Sequence, residues 1–186
     1  HKRPIWAITC ILLFLVAFGI LHYQPNTYET NVVGHRGSEY GVENSLQAVQ
    51  GAIDARADYA EIDILLSKDG VPMVVHDDNL KRLSGQNVNV HDLTARELSK
   101  LSLTQNDYKG KISTLDEMID YSRGKIDLLI ELKLHGHEKR NIVTAVTNVV
   151  EQNHFQKNCQ IMSIEYDLVE DLKKHHPEYS VGYCVY

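Results

Sequence analysis

The chain has 186 residues, 43 % of them hydrophobic, and carries 19 Lys and Arg against 25 Asp and Glu for a formal net charge of −6. That length supports one substantial domain or two small ones. The acidic balance argues against nucleic acid as the main partner, because phosphate backbones select clustered Lys and Arg. Three cysteines without CxxC spacing, Cys10, Cys159 and Cys184, give neither a disulfide framework nor a zinc site and read as packing residues.

In chain order, Ile5 to Leu21 (IWAITCILLFLVAFGIL) is an apolar run of 17 residues without charge. It is at the short end of what spans a bilayer as a helix, and Trp6 and Tyr23 fit interfacial anchors at its ends. A secretory signal peptide would need small residues at a cleavage site, and ILHYQPNTYET offers none. A buried core helix is the other alternative, but a helix apolar on every face suits a membrane better. Lys2 and Arg3 precede the run, and no Lys or Arg occurs between His22 and His35. The positive-inside rule then places the N-terminus in the cytoplasm and the remainder outside. The chain begins with His1, which leaves room for earlier spans. The expected organisation is a transmembrane helix and linker over residues 1–26, then a second domain over 27–186.

After the polar linker QPNTYETN, strands and helices alternate. VVG ends a first strand at Gly34, and Gly34 and Gly37 allow a tight turn with close backbone approach to a ligand. Asn44 is the expected N-cap of the next helix, with Gln47 at capping-box spacing, and that helix is expected to run to about Arg56. YAEIDILL (59–66) is a second strand, SKDG (67–70) a tight turn and VPMVVH (71–76) a third strand. Residues 77–112 read as a polar, irregular excursion apart from a short helix in TARELSKLS, and such lengths are functional or decorative. Expected next are a helix over 115–122, a strand over 126–134, a helix over 138–152, a strand over 160–163, a helix over 166–175 and a last strand over 181–185. Alternating strands and helices predict a parallel sheet. Six strands are counted, against the eight of a complete β/α barrel.

Four charged features fall at strand ends: His35-Arg36, Glu61-x-Asp63, His76-Asp77 and Glu131-x-Lys133. Side chains at i and i+2 on a strand share a face, so Glu61 pairs with Asp63 and Glu131 with Lys133, each opposite an apolar face. Inward carboxylates are costly unless paired or bound to metal. Glu61, Asp63 and Glu131 offer an all-oxygen donor set for a hard divalent cation such as Mg²⁺ or Ca²⁺; structural salt bridges are the alternative. His35 and His76 at separate strand ends suggest an acid and a base across one site. With Arg36, Lys133 and a metal, that combination suits phosphoryl chemistry. The remaining histidines, among them His91, His135, His137, His154, His175 and His176, have no visible partner and read as surface or capping residues.

The order GHRG, EN(S), E-x-D, HD and ELK resembles the glycerophosphodiester phosphodiesterase family, with further matches at Leu80 and Arg82, DLT-x-x-EL (92–98) and I-x-TLDE (112–117). The resemblance covers residues 33 to about 186. It implies an α/β fold of the (β/α)8 TIM-type, incomplete here with about six β/α units, that hydrolyses glycerophosphodiesters to glycerol 3-phosphate and an alcohol. Position by position it implies His35 and His76 as the acid–base pair, and Glu61, Asp63 and Glu131 as ligands of a divalent cation, Mg²⁺ or Ca²⁺. Arg36 and Lys133 match phosphate-contacting positions, and Glu43, Asn44 and Asp77 supporting ones. The resemblance leaves acid and base unassigned, and our reading gives His76 the leaving group. Val42, Ser113 and Asp78 stand where the family usually has Pro, which touches loop shape and no catalytic group. The family's last two β/α units would lie beyond Tyr186, so residues 27–186 alone are expected to be unstable or inactive.

The apolar run resembles the membrane-anchored bacterial branch, in which Ile5 to Leu21 would be the last span. The expected partners are then a glycerophosphodiester, small or as an envelope glycerophosphate polymer, and the membrane through the N-terminal helix, with no nucleic acid. The competing expectations are phospholipase D-like activity on lysolipids and a non-catalytic membrane-bound binding or sensor domain.

Overall fold

A computed structural model describes residues 30–138 and 141–185. The expected membrane span, Ile5 to Leu21, lies outside the described residues. Among the described residues no helix is long and apolar enough to cross a membrane. Residues Asn31–Tyr186 form one compact unit.

The unit is built on five parallel strands in the order β1 (Val33–Gly34), β2 (Tyr59–Leu66), β7 (Asp127–Leu132), β8 (Cys159–Ser163) and β9 (Val181–Tyr183). The third expected strand, over 71–76, is a different object. β3 (Pro72–Val74) folds back antiparallel on β2, Ile64 facing Val74, and β6 (Ser113–Thr114) pairs antiparallel with β3. Among the described residues the parallel β/α strands are therefore five, not six. A parallel neighbour needs a crossover of a dozen residues or more, whereas Ser67 to Gly70 closes a tight turn with Gly70 at φ 77°.

Burial on β2 follows its pleat. Ala60, Ile62, Ile64 and Leu66 enter the main core with Leu128, Ile130, Leu132 and Ile161 of the neighbouring strands. Helices α1 (Leu46–Asp54), α4 (Leu115–Ser122), α5 (Ile142–Gln152) and α6 (Tyr166–His175) contribute Val49, Met118, Val146 and Leu172 to the same core. Their ends are set by capping. Thr114 and Glu117 form a capping box at the start of α4, and Asn141 accepts from the Thr144 N–H at the start of α5. Asn44 is not the cap of α1. Ser45 is, accepting from the Ala48 N–H, while Asn44 sits in left-handed backbone at φ 61°. The helix stops at Asp54, two residues before the expected end.

The excursion over 77–112 has more order than its polar sequence implies. It holds α2 (Lys81–Ser84), a 3₁₀ turn (Val90–Asp92), α3 (Ala95–Leu98) and a hairpin of β4 (Leu103–Gln105) and β5 (Tyr108–Gly110). Leu80, Leu83, Val90, Leu98, Leu103 and Ile112 pack on Leu65 and Met73 as a second core. It is thereby anchored to the side of β2 that bears the charged residues.

Candidate active site

The site begins with the turn after β1. A Cβ on Gly34 would stand 2.0 Å from the Gly37 carbonyl oxygen, and one on Gly37 2.7 Å from Ala48. Only glycine fits either position. The turn throws Arg36 into left-handed backbone at φ 51°. Its N–H then donates to Glu61 Oε2 at 2.7 Å, and its guanidinium reaches Glu43 Oε1 at 2.9 Å and Asp63 Oδ2 at 3.4 Å.

Glu61 and Asp63 do share the face opposite Ile62 and Ile64, and β7 sets Glu131 in register with Asp63. Carboxylate oxygens of Glu61, Asp63 and Glu131 all lie within 4.8 Å of one another, and all three residues are buried. Lys133 Nζ bridges Glu131 at 2.9 Å and Asp63 at 3.4 Å. Asn44 clamps Asp63, donating to its Oδ2 at 2.8 Å and accepting its N–H at 2.9 Å.

Two cations thus face three carboxylates, and two buried side-chain atoms of the centre, Arg36 Nε and Glu61 Oε1, are left without a hydrogen bond. Glu61 Oε1 is buried with no hydrogen-bond partner. Burial, reinforced by the charge of Asp63, pushes its carboxyl up to about 7. For Lys133, burial pulls downward but Glu131 and Asp63 outweigh it and hold the ammonium above its usual range. A buried, unpartnered carboxylate oxygen among two further carboxylates is what a hard divalent cation would satisfy. The donor set therefore fits such an ion, and Glu61, Asp63 and Glu131 are the residues that could hold it.

Around this centre runs a chain of charge-assisted bonds. Arg82 donates to both oxygens of Glu43, at 2.5 and 2.8 Å, and from Nε to Asp77 Oδ2 at 2.7 Å. Asp77 Oδ1 in turn lies 2.6 Å from His76 Nδ1. Gln105 donates to Glu43 Oε2 and accepts from the Glu43 N–H. Burial pushes Glu43 and Asp77 upward, yet the hydrogen bonds and charge of Arg82 prevail and keep both carboxyls below their usual range. His35 is exposed beside Arg36, Glu43 and Gln105 in a cavity of about 210 Å³.

Every residue singled out in the sequence thus falls in or around one centre, with His76 joined to it through Asp77, Arg82 and Glu43. Sequence reasoning noted Arg82 only as a motif match without a role and missed Gln105. They stand 39 and 62 positions from Glu43 and look like surface polar residues.

Residues 35–183 match the model of the glycerophosphoryl diester phosphodiesterase family. A Bacillus subtilis protein with a provisional glycerophosphodiester phosphodiesterase name is 33 % identical over 151 residues, covering 78 % of this chain and 62 % of that protein. A mouse lysophospholipase D is 42 % identical over 89 residues, 47 % of this chain and 27 % of its own length. The crystal structure of a glycerophosphodiester phosphodiesterase from Thermotoga maritima superposes with a TM-score of 0.67 at 35 % identity, covering 86 % of this chain and 64 % of that one. The chain thus spans less than two thirds of the length of these relatives, and the five parallel strands of its seven-stranded sheet belong to a TIM-barrel-like α/β fold. With the motifs, the fold and the family match in agreement, the chain belongs to the glycerophosphoryl diester phosphodiesterase family.

Proposed function

We propose that the protein hydrolyses glycerophosphodiesters to glycerol 3-phosphate and an alcohol with the help of a divalent cation. The observation that carries this reading is the buried trio Glu61, Asp63 and Glu131 with its unpartnered oxygen, flanked by Arg36 and Lys133. A bound Mg²⁺ or Ca²⁺ would supply charge neutralisation on the phosphoryl oxygens.

The other steps fall to the chain's own groups. Arg36 and Lys133 orient the phosphate, since both cations reach the carboxylates that face it and carry further donors. His76 has its Nδ1 turned to Asp77, so Nε2 is the nitrogen left to move a proton. We assign it to the leaving alcohol oxygen. His35, exposed to water beside Arg36 and Glu43, takes a proton from the attacking water. Glu43 acts through others, holding Arg36 and Arg82 in place and, through Asp77, the imidazole of His76.

Our reading places this domain outside the cytoplasmic membrane, tethered by Ile5 to Leu21 as a single or last span, with Lys2 and Arg3 on the cytoplasmic side. Glycerophosphodiesters of deacylated lipids or glycerophosphate polymers of a cell envelope would then be within reach. A second reading, phospholipase D-like action on lysolipids, draws on the similarity to a mouse lysophospholipase D. A non-catalytic sensor role is disfavoured by a site that retains both histidines and all three carboxylates.

The test is glycerol 3-phosphate release by the whole protein from glycerophosphoethanolamine and glycerophosphocholine, with and without EDTA, beside His35→Ala. Release that needs both metal and His35 is expected. A folded protein inert on both substrates but active on lysolipids would favour the second reading. One inert on all of them would overturn catalysis.

A further inference from the structure

A second group of metal-type ligands lies in the described residues, and it shares no side chain with the site above. Asp78, His91 and His135 present ligand atoms within 4.8 Å of one another. They come from three separate segments: the stretch after β3, the 3₁₀ turn of the excursion, and the loop after β7. The rings of His91, His135 and His137 form a compact group. Centroids are 4.2 Å apart for His91 and His137, 4.9 Å for His91 and His135, and 5.9 Å for His135 and His137. The three imidazoles line a cavity of about 180 Å³ with Leu66, Ser67, Lys68 and Glu138.

The hydrogen bonding prepares these rings for a cation. His91 Nδ1 lies 2.8 and 2.9 Å from the two oxygens of Asp78. The His137 N–H donates to His135 Nδ1 at 3.0 Å, so that nitrogen carries a lone pair. The ring proton of His135 then sits on Nε2, which faces the Leu66 carbonyl at 3.4 Å. An ion at Nδ1 would displace the His137 N–H from that lone pair, while the other N–H stays turned to a backbone carbonyl, as in metal-binding histidines. The His135 side chain is only 3 % exposed, and Glu138 fixes its loop by accepting the His135 N–H at 2.6 Å.

We propose that Asp78, His91 and His135 form a second metal site, for a borderline ion of the Zn²⁺ type, with water as the fourth ligand. Two imidazoles and a carboxylate are a zinc donor set, whereas the Glu61 centre offers oxygen alone. The ion would take the place of the proton between His91 and Asp78. Ligand atoms on a tetrahedral zinc sit about 3.3 Å apart, from bond lengths near 2.0 Å. Separations of 4.8 Å or less therefore close with side-chain adjustments of about 1 Å. Such an ion would tie the 77–112 excursion to the loop after β7. It would also fix Asp78, two residues beyond His76, so its role is to hold the rim of the active site.

The test loads the whole protein with one equivalent of Zn²⁺ under excess Mg²⁺, which fills the all-oxygen centre. Metal content and zinc-edge X-ray absorption are read for the parent and for a His91→Gln, His135→Gln double variant. One retained zinc with imidazole scattering is expected in the parent, with affinity at least about 100-fold weaker in the variant. Zinc should also raise the Tm of the parent alone. Oxygen-only coordination in the parent, or equal retention by the folded variant, would overturn the proposal. Should the variant fail to fold, the parent's absorption spectrum decides by itself.

Discussion

Glu43→Gln tests whether the active-site perimeter is held by one buried charge. Glu43 is 9 % exposed and accepts four side-chain hydrogen bonds, from Arg36, twice from Arg82, and from Gln105. Glutamine keeps the shape but loses the charge and turns an NH₂ toward donors. Removing one partner of a fully buried ion pair costs about 3–5 kcal/mol. Here the side chains of Arg36 and Arg82 are 23 % and 45 % exposed, so water recovers part of the loss and about 2 kcal/mol remains. With an m-value of about 2 kcal/mol/M in urea, the midpoint should fall by about 1 M at unchanged m. The pH dependence gives a second check. Arg82 and Arg36 hold the folded-state carboxyl below its ordinary value of 4.5. Its contribution is therefore complete above that value and fades as pH falls through the lowered one. The difference between parent and variant should be full at neutral pH and shrink in acid. Equal midpoints at pH 7, or a difference that grows on acidification, would refute the reasoning.

Three further outcomes are expected. Glu61 works in the opposite sense: its metal-free carboxyl is raised from 4.5 to about 7, so stability favoured by the protonated form is present below 4.5 and lost as pH rises through about 7. Thermal melts in EDTA should show a loss of order 3 kcal/mol across that window. The loss should be absent in Glu61→Gln and reversed in the parent by Mg²⁺ or Ca²⁺; a flat profile would count against a strained metal-free centre. Ile130→Ala empties a fully buried position in register with Ile62 and Ile161, and should cost about 2–5 kcal/mol in urea denaturation. Asp77→Asn leaves the His76 ring in place but weakens its orientation. It should lower kcat on a glycerophosphodiester by about 10- to 100-fold with little change in KM, and an unchanged kcat would remove His76 from the proton-transfer role.

What could be read from the sequence divides by how local the determinant is. The pleat of β2 places Glu61 and Asp63 on one face whatever surrounds them, and β7 does the same for Glu131 and Lys133, so the carboxylate centre was legible from period alone. The direction of a strand is not written in its period. VPMVVH is as apolar as a buried parallel strand, and it was the four-residue SKDG turn, too short for a crossover, that should have marked it as a hairpin return. At the start of α1 both Asn44 and Ser45 are good caps, and tertiary demand decided between them: Asp63 needs the Asn44 amide on both its N–H and its Oδ2, which leaves the cap to Ser45. Arg82, Gln105 and the His91–His135–His137 group lie further from legibility. Each is an ordinary polar residue in a polar stretch, and its role exists only once the second core on Leu65 and Met73 has folded the excursion against β2. The same apolar residues that made 77–112 look merely irregular, spaced without helical or strand period, are what carry Arg82 to Glu43 and His91 to His135. The charged perimeter of this site therefore depends on the packing of Leu80, Leu83, Val90 and Leu98, and substitutions there should disturb the site without touching any polar group in it.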